Sequence, residues 1–159
     1  MRKLLGALLG LLAFSGFAGS YFAGVEIIPH TFGSATYGVP YVVIGYDSEV
    51  QIGGLTKWAF AEIGLSSPLT INGWYLVKAG GKHDLTENLF VTGHVSVWGQ
   101  IQNFAFTSGA WAVGAGIQYK FDESLFFFLN FHIPPQVSPA TPFWGMWTSL
   151  GFAFYFGGN

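Results

Sequence analysis

Cysteine is absent from the 159-residue chain. Its absence excludes a disulfide framework, a thiolate metal site, a cysteine nucleophile and lipid attachment through an N-terminal cysteine. Charge is scarce too: Asp, Glu, Lys and Arg make up 9% of the residues, against ~25% in soluble domains. A surface built from so little charge would not stay dispersed in water, so most of it must face something else. With six Lys and Arg against eight Asp and Glu and a pI near 6.0, no basic patch for nucleic acid is available. Four dispersed histidines offer no metal-ligand spacing, and no glycine-rich loop leads from a strand into a helix. No metal and no cofactor are expected. Past the N-terminal region, no segment holds the ~20 uninterrupted apolar residues that a spanning helix needs.

Glycine is abundant instead, with 23 residues, and aromatics reach 19%. Each glycine inside a helix would cost roughly 0.8–1 kcal/mol, so long helices are disfavoured. In the stretch GAWAVGAGIQYKF, Trp111, Val113, Ala115, Ile117, Tyr119 and Phe121 alternate with Ala110, Ala112, Gly114, Gly116, Gln118 and Lys120. This is a period of 2, a strand. Its large apolar face suits lipid, and its small opposite face suits the crowded inside of a narrow closed barrel. An acidic turn, Asp122-Glu123-Ser124, leads into LFFFLNFH, where Leu125, Phe127, Leu129 and Phe131 repeat the apolar face.

Arg2 and Lys3 precede an apolar run, Leu4–Phe14, and the small residues of SGFAGS follow. This pattern is a secretory signal peptide, expected over residues 1–19 with cleavage at about 18–20, leaving residues 20–159 as the mature barrel. Four lysines then face eight carboxylates, a formal charge of −4.

Segments of ~10 residues, the length of a tilted transmembrane strand, fill the rest. Strands are expected over Tyr21–Ile28, Tyr37–Tyr46, Glu49–Phe60, Ile71–Ala79, Leu89–Gln102, the two arms already described, and Trp144–Phe156. Asp47-Ser48 reads as a tight turn, Gly53-Gly54 as a bulge, and Gly80–Glu87 as an aqueous connection. The fold class is therefore all-β, an eight-stranded antiparallel up-and-down transmembrane β-barrel. Short charged joints after the second, fourth and sixth strands place both termini in the periplasm of a two-membrane bacterium.

GAGIQYKFDESLFFFLNF followed by GFAFYF resembles the closing strands of the small eight-stranded outer-membrane barrels, the group of OmpX, the OmpA membrane domain and opacity-type surface proteins. The resemblance implies an outer-membrane barrel with a structural or surface-interaction role, embedded in outer-membrane lipid and inserted by the outer-membrane assembly machinery. Gly157-Gly158-Asn159 follow the last aromatic, Phe156, where members of the group end on the aromatic itself.

Parity places Glu26, Gln51, Lys57, Lys78, Thr92, His94, Ser96, Gln118, Lys120, Asn130 and His132 on the less apolar face. A charge facing lipid near the midplane costs ~2–4 kcal/mol, so these residues are expected inside. There Glu26 would pair with Lys57 or Lys78 in a polar plug; a narrow ion path is the alternative. Tyr21, Tyr37, Trp111, Tyr119 and Trp144 suit an aromatic girdle at headgroup level. His132 resembles the histidine of the His-x-Ser pair in small outer-membrane lipid A deacylases, but Pro134 stands where the hydroxyl should be. Catalysis is therefore not expected, with lipid A modification and an OmpW-like channel for small or apolar solutes as the alternatives. Four presumed external loops, residues 29–36, 65–70, 103–109 and 133–142, hold no Lys, Arg, Asp or Glu. They are expected to meet neutral glycans, apolar ligands or another envelope protein.

Overall fold

The computed structural model describes residues 19–32, 35–52, 55–66, 72–103, 105–107, 109–133 and 147–158. The leader reading falls on residues outside these, as does Trp144. The side chains of Gln51 and Lys57 also lie outside the described residues.

Eight antiparallel strands follow in chain order: β1 Gly19–Phe32, β2 Ala35–Ile52, β3 Leu55–Leu65, β4 Gly73–Asp84, β5 Leu89–Gln102, β6 Ala110–Lys120, β7 Leu125–Ile133 and β8 Trp147–Gly158. Each pairs with the next, and β1 pairs with β8 from Tyr21↔Phe156 to Ile27↔Leu150, closing the sheet into a barrel. A two-residue ladder, Ala105–Phe106, continues β6 along the end of β5, with a one-residue shift in register between Phe106↔Ile101 and Ala110↔Trp98. That shift is a bulge in one arm of the hairpin.

Closure leaves one face of every strand inside and the other outside. Val95, Val97, Trp111, Val113, Ile117, Tyr119, Phe127, Leu150, Phe152, Phe154 and Phe156 are all exposed. They form the apolar outer surface expected of a transmembrane barrel. Inside, two apolar clusters fill the lumen. Phe22, Phe126, Phe128 and Ala153 pack toward the end that holds the termini; Ile28, Tyr41, Val43 and Leu76 pack toward the other.

Leu89–Gln102 lies where the alternation places it, but several boundaries differ from the sequence reading. Asp47-Ser48 is not a turn, and the third strand does not begin at Glu49: β2 runs through to Ile52, which pairs with Leu55 at the start of β3, while the bulge expected at Gly53-Gly54 lies outside the described residues. Asp47 is held in the ladder because its carboxylate has partners inside the barrel. Gly80–Asp84 belongs to β4 rather than to an aqueous connection, for the same reason at Lys82.

Residues 29–36 are mostly ladder, with Pro29↔Gly38 and Phe32↔Ala35 as pairs, so the first expected external loop shrinks to residues 33–34. Pro29 and Pro40, which pairs with Ile27 on the same ladder, are tolerated because this hairpin outruns its neighbours. β8 flanks β1 only as far as Ile27, and β3 flanks β2 only from Val42 onward. Beyond those points each strand has an edge where a missing N–H breaks no ladder. The joint between β5 and the ladder at Ala105 likewise spans only residues 103–104. Longer external joints are therefore confined to those after β3 and β7.

Candidate functional site

Glu26, Glu62, Lys78, His94, Ser96, Asn130, His132 and Ser149 converge in one layer between the two apolar clusters. Glu62 and Lys78 are directly opposite on β3 and β4, and Lys78 Nζ lies 2.9 Å from Glu62 Oε1. The same ammonium reaches across to Glu26 of β1, at 3.0 Å from Oε1 and 2.9 Å from Oε2. Asn130 Nδ2 donates to Glu26 Oε1 at 3.0 Å, and Ser149 Oγ donates to it at 2.5 Å. From Ser149 the chain of contacts continues to His132 Nε2 at 3.1 Å. His132 Nδ1 then meets Ser96 Oγ at 3.1 Å and His94 Nε2 at 3.3 Å. Glu26 and Ser149 are fully buried, and Lys78 and His132 are 1% exposed. Lys78 is thus a partner of Glu26, as one of the two expected pairings has it; the Lys57 side chain lies outside the described residues.

Glycines on the neighbouring strands make room for these side chains. Gly114 stands in register between His94 and His132, so nothing separates the two rings, whose centroids are 4.9 Å apart. Gly116 stands likewise between Thr92 and Asn130; a Cβ there would come within 2.7 Å of Thr92 Oγ1 and of the Leu129 carbonyl oxygen. The small face of β6 is thus the space into which large polar groups of β5 and β7 turn.

A second cluster sits nearer the termini. Lys82 Nζ and the Tyr155 hydroxyl both donate to Asp47 Oδ2. Lys82 Nζ and Gln118 Nε2 donate in turn to the Tyr155 hydroxyl, at 3.2 and 3.1 Å. Lys120 is half-buried beside it and lines, with Asp47, Lys82 and Glu123, a vestibule of about 120 Å³. Between the clusters lies a cavity of about 20 Å³ bordered by Asp47, Glu62, Lys78, Thr92 and Gln118, enough for one water at roughly 10–15 Å³. Among the described residues, Thr92 Oγ1 and His94 Nδ1 are buried polar atoms without a protein partner.

Burying a charge is tolerable only when it is paired and hydrogen-bonded, and here three carboxylates share two ammonium groups. Glu62, Asp47, Lys82, Ser149 and Tyr155 were missing from the sequence-derived network. Glu62 falls beyond the expected third strand, which ends at Phe60, and at Asp47 and Lys82 charge near Ser or Gly reads as a turn. Extending the even-numbered parity of Phe60 by one step would have found Glu62.

Of the girdle candidates, Trp111, Tyr37 and Tyr119 are exposed, while Tyr21 is half-buried between Tyr46 and Phe156, at centroid distances of 4.8 and 6.2 Å. Tyr119 and Phe127 both pack edge-on against Phe121 near the 121–124 turn. Among the described residues, no group of three His, Cys, Asp or Glu could hold a metal ion.

No family model and no curated protein matches the chain. Among solved structures it is similar to the de novo designed TMB2.3, with a TM-score of 0.53 and 10% identity over 89% of this chain and 97% of that one. A second similar structure comes from the de novo design of transmembrane β-barrels, with a TM-score of 0.48, 11% identity, and 87% and 97% covered. A third is the N-terminal β-barrel domain of Pseudomonas aeruginosa OprF, with a TM-score of 0.42, 16% identity, and 87% and 99% covered. Of these three, TMB2.3 alone exceeds 0.5, and at 10% identity it bears on fold alone. Closure, strand number and the apolar outer face together define the class: an eight-stranded membrane β-barrel.

Proposed function

We propose that this barrel resides in the outer membrane of a two-membrane bacterium and serves a structural or surface-interaction role, without catalysis and without a conducting lumen. The observation that carries the reading is the filled interior. A layer of paired charges lies between two apolar clusters, so an ion entering from the vestibule meets Phe22, Phe126 and Phe128. An ion that passed them would meet Tyr41, Val43 and Leu76 at the far side. An eight-stranded barrel has an interior just wide enough to be filled in this way.

The lipid A-modifying alternative gains one supporting observation, since Ser149 Oγ lies 3.1 Å from His132 Nε2. A Ser–His pair could carry acyl transfer. Yet Ser149 has no exposed surface and its proton is directed to Glu26, so no acyl ester reaches it. This supports a structural role for the pair.

The joints at 53–54, 85–88 and 121–124 share one end with both termini and are short. Short turns belong on the periplasmic side, so we assign that end to the periplasm and the other to the cell exterior. β8, which completes the barrel against β1, is the strand offered to the outer-membrane assembly machinery, with outer-membrane lipid as the surroundings. The uncharged outer joints suit a neutral glycan or another envelope protein.

Planar-bilayer recording with the refolded chain, run beside a lipid deacylation assay, tests this reading. The expected result is a bare-bilayer baseline and no released acyl chains. Discrete conductance steps would establish the channel, and fatty acid release abolished by Ser149→Ala would establish the enzyme.

A further inference from the structure

At the end away from the termini, β4 and β5 border an open cleft of about 640 Å³. This lies within the ~300–1,000 Å³ typical of ligand sites. Its lining includes Ser66, Asn72, Trp74, Gln100, Gln102 and Asn103: one hydroxyl, four carboxamides, an indole and no ionisable group.

Side-chain hydrogen bonds hold this rim in place. The Asn103 N–H donates to Asn72 Oδ1 at 3.1 Å, the Trp74 N–H to Ser66 Oγ at 2.8 Å, and Gln102 Nε2 to Gln100 Oε1 at 3.0 Å. Thr107 clamps Gln100 from behind, accepting from its N–H at 3.2 Å and donating to its carbonyl at 3.0 Å. His30 meets the Trp74 ring edge-on at 4.7 Å. Asn103 adopts φ 50°, the left-handed region. Asparagine tolerates that region better than most residues, and it turns the chain at the cleft's edge. After these bonds Gln100 Nε2 and Gln102 Oε1, a donor and an acceptor on one strand, have no partner among the described residues.

We propose that this cleft binds an uncharged saccharide. The inference rests on the outward orientation assigned above. Carboxamides offer donors and acceptors together, the set that adjacent sugar hydroxyls require, and an indole face suits the C–H face of a pyranose. An anionic ligand would find no Lys or Arg here. A purely apolar ligand would strip water from five polar side chains without replacing it. The saccharide could be carried by a glycolipid of the surrounding leaflet or come from a free glycan.

The test is side-chain amide and indole NMR on the refolded full chain in a detergent without a sugar headgroup. One arm adds maltotriose; the other dopes the micelle with dodecyl maltoside, which presents the same sugar from the membrane surface. Saturable shifts at Gln100, Gln102 and the Trp74 indole are expected in at least one arm, and that arm names the source. Affinity is expected to fall at least tenfold in Gln100→Ala/Gln102→Ala, with the dispersion of the backbone spectrum intact. No shift in either arm, an unchanged affinity in the double variant, or a sulfated oligosaccharide binding as tightly as maltotriose would each overturn the proposal. Failure of the membrane reading is separately visible, as a chain that stays dispersed when detergent is removed.

Discussion

Gln118, Asn130 and His132 point inward from β6 and β7, each buried and each bonded to a polar group on another strand. Ile117 and Phe127, on the same two strands, point outward and stay 45% and 44% exposed. Side chains of opposite character thus alternate along one backbone, and each set is stable only in its own surroundings. The interior tolerates charge because Glu26, Glu62 and Asp47, the buried carboxylates among the described residues, each pair with a buried lysine. The exterior tolerates bare hydrocarbon only if the solvent around it is also hydrocarbon. A soluble β-barrel would show water the opposite pattern, with its apolar side turned in.

The largest expected effect comes from breaking the interior. Lys78→Met leaves Glu26 and Glu62 without their ammonium and should destabilise the barrel by ~3–5 kcal/mol. Adding Glu62→Gln should recover part of that, since one uncompensated carboxylate goes. Urea midpoints of the variants refolded in lipid vesicles measure both. Ile117→Arg attacks the exterior at the level of Asn130, where Gly116↔Asn130 and Ile117↔Leu129 are adjacent pairs. In a bilayer it should cost ~2–4 kcal/mol, whereas an ordinary water-facing surface position changes within ~0.5 kcal/mol. The same midpoints decide between the two.

Tyr155→Phe sharpens the comparison at the vestibule by removing the hydroxyl that links Asp47, Lys82 and Gln118. It should cost ~1–3 kcal/mol, less than the central substitution, because water in the vestibule can replace part of the lost bonding. The smallest effect belongs to the turn. Asp122 Oδ1 accepts from the Ser124 hydroxyl at 2.8 Å, the Ser124 N–H at 2.7 Å and the Leu125 N–H at 2.8 Å. These bonds, the hydroxyl's foremost, hold its carboxyl below the ordinary Asp value of 3.8. A lowered folded-state value means the turn's contribution is complete above the unfolded value and is lost as pH falls through the folded one. A carboxyl NMR titration should place the Asp122 midpoint under 3.8, and Asp122→Ala should remove that dependence.

Alternation was readable wherever a strand was flanked by ordinary residues, as in Leu89–Gln102 and the hairpin around Asp122. There each step of two in sequence is a step along one face, so Gln118, Asn130 and His132 could be turned inward without a structure. Legibility failed where local chemistry and tertiary partners disagreed. Asp47 next to Ser48 has the composition of a turn, but Lys82 and Tyr155 wait for its carboxylate inside the barrel. Pro29 has the character of a terminator, but the β1–β2 hairpin stands clear of its neighbours there and loses nothing. Parity along β3 turns Glu62 inward, but its pairing with Lys78, like that of Ser149 with Glu26, exists only once β1, β3, β4 and β8 are brought around one lumen, a relation that no spacing within a single strand records.

The alternation along β6 and β7 is also where the account is most directly exposed to test. Nitroxide labels placed singly at Val113, Ile117 and Phe127 in vesicle-reconstituted protein should relax strongly with dissolved oxygen and weakly with a water-soluble nickel chelate. A label at Glu123, in the turn, should do the reverse. Strong relaxation by the nickel chelate at Val113, Ile117 and Phe127 would mean that water bathes the bulky face, and would contradict a membrane barrel.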